Sequence, residues 1–499
     1  MSLIFKLAMT TKPKTLTLIL GDQLFKEHPA LSTDTDYLMI ENPLDCATTK
    51  KLHKQKITFF LASMRNYASF LKTKIKPDQK IHYSSLLDNH SFESQLIELS
   101  KEYSQIQFCS ISDKAFGASV LEICQQHFGQ VTVLLSLSFL TSITDFQNYL
   151  DTRTTKGLIM ANFYTWQRKR LGILVDSSNK PIGGKWSYDA DNRKALPKNY
   201  QFQEHLKPQD NATWHQVKAE VEKYLPNSYG NAQECYLATT HAEAELILED
   251  FIENFLADFG DYEDAMTTQD NWVNHSILSP YLNCGLLTPK QILSKLTQKL
   301  ENDPDLIETK LASVEGYIRQ LIGWREWVKG MYDTQYKTII SQYNFFGAVK
   351  PLPRYFWFED LDRLDNIPLR EVLVKVRDFG YAHHIERLMI LANWMTLSGY
   401  DPVECLHWFS SMFIDALDWV MVPNVIGMGL YADGGIFATK PYVSSSNYIL
   451  KMSNYNKGNW TTQWDGLFWD FLMTNDKFFE SQPRMNMLIK ARKKKLVIS

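Results

Sequence analysis

The sequence lacks three features, and each absence excludes a class of protein. Its six cysteines form no CxxC pair and no Cys/His cluster, so neither a disulfide framework nor a metal or iron–sulfur site is expected. The net charge of −3 supplies no general positive field, so nucleic acid would have to bind at a local basic surface. No run of about 18 apolar residues occurs, and we therefore expect no membrane contact. Scattered free thiols favour a reducing compartment, which predicts a cytoplasmic protein.

The length and composition are those of a globular chain with several domains. The 499 residues are 44% hydrophobic and 22% charged, and aromatic residues reach 13%. Two basic runs, Arg168–Arg170 and Lys490–Lys495, are candidates for DNA contact. We predict that each is instead a solvated face or tail.

Residues 15–150 alternate short apolar runs with amphipathic helical patterns. This alternation predicts an α/β domain with a doubly wound, Rossmann-like parallel sheet. Gly21 follows the first apolar run, but no GxGxxG is present, which favours a tight turn over a dinucleotide site.

The rest of the chain divides by pattern into three parts. Residues 151–239 are irregular and polar, and we interpret them as a connector between two halves. From residue 240 to 475 apolar residues recur three and four apart, which predicts an all-α domain. Residues 476–499 are predicted to be a basic tail.

Polar residues cluster in sequence within the apolar region from 381 to 442. His383 and His384 alone would be typical of satisfied core histidines. Arg387 follows them by one helical turn, and Asp415 comes later in the same aromatic-rich half. Together they predict a buried pocket for a cofactor.

Six segments taken in order resemble the photolyase/cryptochrome superfamily, in particular the bacterial branch of iron–sulfur (6-4) photolyases and cryptochromes. The resemblance covers roughly residues 15 to 475, and the segments that carry it are residues 20–24, 183–193, 274–282, 317–326, 381–387 and 423–428. It implies an amino-terminal antenna-type domain and an all-helical domain that binds FAD.

The resemblance implies roles for particular residues of this chain. The positions that match the family's FAD site are Ser276, Ser279, Gln320, Arg325, Arg387, Asp415, Met421 and Asn424. The positions that match the lesion pocket are His383, His384, Tyr442, Asp189 and Asp264, with Trp324 stacking on a flipped base. His384 would donate a proton to the lesion, and the implied partner is UV-damaged DNA. From the residues alone, Trp324 could equally be a core residue and Asp264 a helix cap.

Two further sets of residues match the family. Trp408 and Trp357 stand where aromatic residues carry electrons to oxidised flavin, although they could also be core aromatics. Glu41, Asp45 and Cys46 lie where relatives bind an antenna of the ribityl-lumazine type, and their identities leave antenna binding open.

The chain departs from its relatives at redox positions. Pro368, Asn456 and Asn459 stand where cluster cysteines would be, so we expect no iron–sulfur cluster and instead aromatic packing around Trp460, Trp464 and Trp469. Met421 replaces a carboxylate that faces flavin N5, and Phe409 replaces a tyrosine. Light-driven repair of (6-4) photoproducts is the leading prediction, and a blue-light cryptochrome photoreceptor is the alternative. Protein partners are not indicated.

Overall fold

Five short apolar segments form one parallel sheet at the amino-terminal end. The computed structural model describes residues 14–41, 51–88, 90–152, 159–341 and 343–498. The sheet has the order β3-β2-β1-β4-β5, and its strands are β1 (Thr15–Leu18), β2 (Asp36–Ile40), β3 (Ile81–Ser84), β4 (Gln105–Cys109) and β5 (Gln130–Leu134). The chain reverses direction across the sheet between β1 and β4, as in doubly wound folds.

Helices cover both faces of this sheet, as parallel strands require. Helix α1 (Lys54–Lys72) packs on one face, where Tyr67 joins the strand residues in one apolar core. Helices α2 (Phe92–Ser100) and α3 (Lys114–His127) cover the other face, where Leu96 lies in a second core. The predicted α/β domain is confirmed.

The described residues between 143 and 224 form three α-helices and long irregular stretches. The helices are α4 (Ile143–Asp151), α5 (Met160–Leu171) and α6 (Ala212–Tyr224). Arg168 on α5 corrects one expectation, because this side chain is buried and donates hydrogen bonds to the carbonyls of Ile173, Leu174 and Trp186. It therefore ties the connector together and is not part of a solvated face.

The carboxyl-terminal half consists of helices joined by irregular segments, and no β-strand occurs among its described residues. Its α-helices are α7 (His241–Asn254), α8 (Leu256–Tyr262), α9 (Ser279–Cys284), α10 (Pro289–Asn302), α11 (Pro304–Ile318), α12 (Arg325–Ser341), α13 (Ile367–Phe379), α14 (Asn393–Ser398), α15 (Pro402–Met412), α16 (Asp418–Met421), α17 (Ser446–Met452), α18 (Asn459–Thr474), α19 (Asp476–Phe479) and α20 (Pro483–Ile498).

The two halves are joined by buried polar contacts. The His53 ring bonds the carbonyl of Arg377 at 3.0 Å, and the backbone N–H of Leu24 donates to the carbonyl of Cys284 at 2.9 Å. Because these bonds replace water at buried backbone groups, they fix how the sheet domain lies against the helices.

The last 24 residues correct the expectation of a tail. Residues 476–498 form two helices that pack back on the domain, with Phe479 and Ile489 buried. Trp460 and Trp464 are fully buried, which confirms the predicted aromatic packing there, and Trp469 is partly buried. Within the described residues no helix has the length and apolar character needed to cross a membrane.

Candidate functional site

One large cavity opens into the helical half. Its volume is about 1360 Å³, which exceeds the roughly 300–1,000 Å³ of most small-molecule pockets. All three π-helical segments in the described part of the chain contribute to its wall, and they are Arg319–Trp324, Glu386–Ala392 and Val422–Gly429. Single-turn π segments are frequent at functional sites, so this coincidence marks the cavity as the candidate site.

An ion pair lies in the cavity wall. The Arg387 guanidinium donates two parallel hydrogen bonds to the Asp415 carboxylate, at 2.8 and 3.1 Å. The Ser279 hydroxyl donates a third at 2.7 Å. Burial opposes ionisation of Asp415, but Arg387 and Ser279 outweigh it and hold the pKa of this carboxyl below its usual range. The wall therefore presents a fixed, paired dipole to whatever the cavity holds.

The two adjacent histidines are placed differently. His384 faces the cavity. Desolvation by the surrounding protein, together with the positive charge of Arg387, lowers its pKa to about 4. His383 lies behind the wall with 1% of its surface exposed, and its ring stacks on His275 at a centroid distance of 4.7 Å. Of the predicted pair, only His384 can reach a ligand in the cavity.

A second cluster of charged groups also lines the cavity. Asp189 accepts hydrogen bonds from Arg193 and lies 2.9 Å from Arg319. Asp264 lies 3.7 Å from Arg193 and accepts a bond from the hydroxyl of Tyr448. The two predicted carboxylates are therefore neighbours through a shared arginine.

Glu263 belongs to the same cluster. It lies 3.4 Å from Arg319, and its side chain is 8% exposed. Burial raises the pKa of Glu263 to about 7, with Arg319 opposing the shift and Asp264 adding to it. This carboxyl therefore changes charge near neutral pH.

The remaining predicted pocket residues also face the cavity. They are Ser276, Gln320, Trp324, Met421, Asn424, Arg325 and Tyr442. Trp324 is half-buried, with its ring near Phe437, so it is not a core residue. The guanidinium of Arg325 lies over the rings of Phe139 and Trp419, at 4.4 and 5.0 Å, and donates to the carbonyl of Ser138.

Trp408 and Trp357 lie outside this wall. Trp408 is fully buried and donates its indole N–H to the carbonyl of Phe356 at 2.7 Å. Trp357 is half-buried, and its ring contacts those of Tyr229 and His407. Phe356 contacts the Trp408 ring at 5.3 Å and precedes Trp357 in the chain, so aromatic groups connect the two tryptophans.

The predicted antenna residues fall in two groups. Asp45 and Cys46 lie outside the described residues. Glu41 is buried at the end of β2, where its carboxylate accepts hydrogen bonds from Arg65, the Tyr83 hydroxyl and the backbone N–H of Leu86. These partners occupy both oxygens of Glu41, so it binds within the protein rather than facing a ligand.

Several wall residues were missed by the sequence reasoning. Glu263 stands beside Asp264, so the acidic run could have revealed it, and Arg319 lies inside a segment that was singled out. Lys440 and Lys451 are exposed where the wall meets the surface. No sequence signal points to Lys451. Among the described residues no group of three or more His, Cys, Asp or Glu side chains could hold a metal ion.

The chain is similar to known proteins both in sequence and in fold. Residues 17–236 match the family model of deoxyribodipyrimidine photo-lyase-related proteins. Over 488 residues the chain is 32% identical to a (6-4) photolyase of Agrobacterium fabrum, covering 94% of each chain. Its fold resembles a bacterial class III photolyase from Agrobacterium tumefaciens, with a TM-score of 0.56, 15% identity and coverage of 94% of this chain and 88% of that one. A cryptochrome of Synechocystis sp. PCC6803 gives a TM-score of 0.56 at 12% identity, covering 93% and 90%.

Proposed function

Since the chain belongs to the photolyase/cryptochrome family, we propose that it is a light-driven, FAD-dependent enzyme that repairs (6-4) pyrimidine–pyrimidone photoproducts in DNA. One observation carries this proposal. The Arg387–Asp415 pair, His384 and Tyr442 all line one cavity. A cofactor and a flipped nucleotide could therefore bind next to each other in the same cavity.

The cavity residues fit FAD. The volume of about 1360 Å³ leaves room for a dinucleotide together with part of a second ligand. Arg387 and Asp415 would hold the polar edge of the flavin ring, while Ser276 and Ser279 would bind near the pyrophosphate. When bound, FAD would supply the electron that light transfers to the lesion. Arg325, Gln320 and Asn424 would complete the cofactor wall.

His384 is the proposed proton donor to the lesion. Its pKa of about 4 makes the imidazole neutral at pH 7 before DNA binds. A phosphodiester or a lesion that gains negative charge beside the ring would favour the imidazolium, so protonation would be coupled to substrate binding. Tyr442 and Asp189 would orient the flipped nucleotide by hydrogen bonds, with Trp324 stacking on a base.

Aromatic residues behind the cavity wall offer a route for electrons to the oxidised flavin. We propose that Trp408 and Trp357 pass electrons inward through their packed neighbours. Phe409 lies against Trp408 at 5.1 Å and carries no hydroxyl, so it cannot release a phenolic proton on oxidation. We expect slower photoreduction than in relatives with tyrosine at this place, and we expect no iron–sulfur cluster.

A cryptochrome photoreceptor is the second candidate, and Met421 favours it. This side chain is buried in the cavity wall where relatives carry a carboxylate. A thioether accepts hydrogen bonds weakly and bears no charge, so flavin redox states would be held differently. A photoreceptor would show little preference for damaged DNA and a light-dependent change of shape or partner.

Binding distinguishes the two candidates. We expect the purified protein with FAD to bind a duplex with one (6-4) photoproduct at least about tenfold more tightly than the undamaged duplex, because a damaged base costs less to unstack. Equal affinities for the two duplexes would contradict repair and favour the photoreceptor.

Lesion binding should also depend on pH through Glu263. Below pH 7 this carboxyl is neutral, and above pH 7 it ionises and adds a negative charge to a wall that meets DNA. We expect affinity for the lesion duplex to fall a few-fold between pH 6 and pH 8. The Glu263→Gln variant should reduce that fall, leaving only the part that protonation of His384 contributes. A pH dependence of native size in the variant would exclude Glu263 as its source.

A further inference from the structure

Positive charge is segregated at the carboxyl-terminal end of the chain. Residues 476–499 contain seven Lys or Arg and two Asp or Glu, a net charge of +5, whereas the whole chain carries −3. The other 475 residues therefore carry −8. An acidic protein that binds a polyanion needs such a local concentration of cations.

Helix α20 places this charge at the edge of the cavity. Met485 and Leu488 line the cavity, and Ile489 is buried with 2% of its surface exposed. Further along the helix, the guanidinium of Arg492 lies 5.4 Å from the ring centroid of Trp469, which is itself a wall residue. The segment expected to be a free tail is thus part of the cavity rim.

The cations on this rim point outward. Lys490, Arg492 and Lys493 are exposed on α20, and Lys440 and Lys451 are exposed on the adjoining wall. Lys493 pairs with Asp476, whereas within the described residues no carboxylate lies within 4.0 Å of the other four. Surface cations without a carboxylate partner remain available to phosphate groups. The Lys493–Asp476 pair lies at the surface, where such pairs contribute little, so Lys493 can also exchange its partner for a phosphate.

Two anionic surfaces could meet such a helix, and its orientation favours one of them. A basic helix that binds a membrane inserts its apolar face among the lipids. Here the apolar face, with Met485, Leu488 and Ile489, is turned toward the protein. Among the described side chains of α20, the free surface carries Lys490, Arg492 and Lys493 with Met487 as its one exposed large apolar residue, which suits a phosphate backbone that passes over the rim.

We propose that α20 forms one edge of the DNA-binding surface and contacts backbone phosphates beside the flipped lesion. The proposal rests on the repair function and assigns to Lys490, Arg492 and Lys493 the task of positioning the duplex over the cavity. Phosphate contacts add affinity and register without reading sequence or damage. The helix should therefore strengthen binding to damaged and undamaged DNA alike.

The test is the salt dependence of binding to an undamaged duplex and to the same duplex with one (6-4) photoproduct. A variant with Lys490→Gln, Arg492→Gln and Lys493→Gln removes three charges from the rim. The matched control, Lys295→Gln, Lys299→Gln and Lys310→Gln, removes three charges from α10 and α11, where each lysine pairs with a carboxylate at 2.6 Å. Melting temperature verifies that all proteins are folded.

We expect the rim variant to make the slope of log affinity against log salt shallower by roughly 2 to 3, for both duplexes, because each phosphate contact contributes about 0.9. The preference for the lesion should stay unchanged, and the control should keep the native slope. An unchanged slope in the folded rim variant overturns the proposal. So does binding to vesicles of anionic phospholipid that the rim substitutions abolish while DNA binding persists. Absence of any lesion preference in the native protein would instead count against the repair function, whatever the slope.

Discussion

The His384→Ala variant is expected to lose light-driven repair of (6-4) photoproducts by a factor of about 10² to 10⁴, the range that a positioned proton donor contributes. His384 is the one histidine of the adjacent pair that faces the cavity. Its removal takes away the proposed proton donor and leaves the Arg387–Asp415 pair in place. We therefore expect FAD content and melting temperature to stay near native values.

Repair is measured as restored bases per unit of blue light, and FAD is measured after its release from the denatured protein. The control is His127→Ala, which removes an exposed histidine at the end of α3. Native repair rates in the His384 variant would exclude this histidine as the donor. Loss of FAD from that variant would instead mean that His384 supports cofactor binding.

The Arg387→Met variant is expected to lose FAD binding and about 3–5 kcal/mol of folding stability. The reason is that Asp415 would remain buried without its bidentate partner, and an unpaired buried charge is costly. A second variant, Arg387→Met with Asp415→Leu, removes both charges. It should recover much of the stability, because apolar residues often replace a buried ion pair at little cost.

Denaturant unfolding and flavin content together test this prediction. The double variant should remain without FAD, since it lacks the polar groups proposed to hold the ring. If the double variant binds FAD as well as the native protein, the pair is a structural feature and not part of the cofactor site. If Arg387→Met alone is as stable as the native protein, the carboxylate is solvated and the buried-pair description fails.

The sequence predicted the fold because its patterns are local. The apolar runs that became β1 to β5 are bounded by turns, and their alternation with helical periods specifies a parallel sheet. The contact between Arg387 and Asp415, in contrast, could not be predicted from local patterns. Their separation of 28 residues carries no contact information, and only the resemblance assigned both positions to one site.

The predictions that failed depended on packing. Arg168 looked solvated and residues 476–499 looked like a free tail, because charge in a sequence gives no sign of its partners. In the structure Arg168 is satisfied by backbone carbonyls, and α20 is held by the apolar side chain of Ile489. Glu263 was missed for the same reason, since its raised pKa is a consequence of burial.

The central claim is tested most directly by repair itself. An oligonucleotide with one defined (6-4) photoproduct is mixed with the reduced FAD-containing protein, illuminated with blue light and separated by chromatography, with a dark sample and the His384→Ala variant alongside. We expect the two original pyrimidines to reappear only in the illuminated native sample. A protein that holds FAD and is photoreduced, yet leaves the lesion intact, would contradict the account and make the photoreceptor the better description.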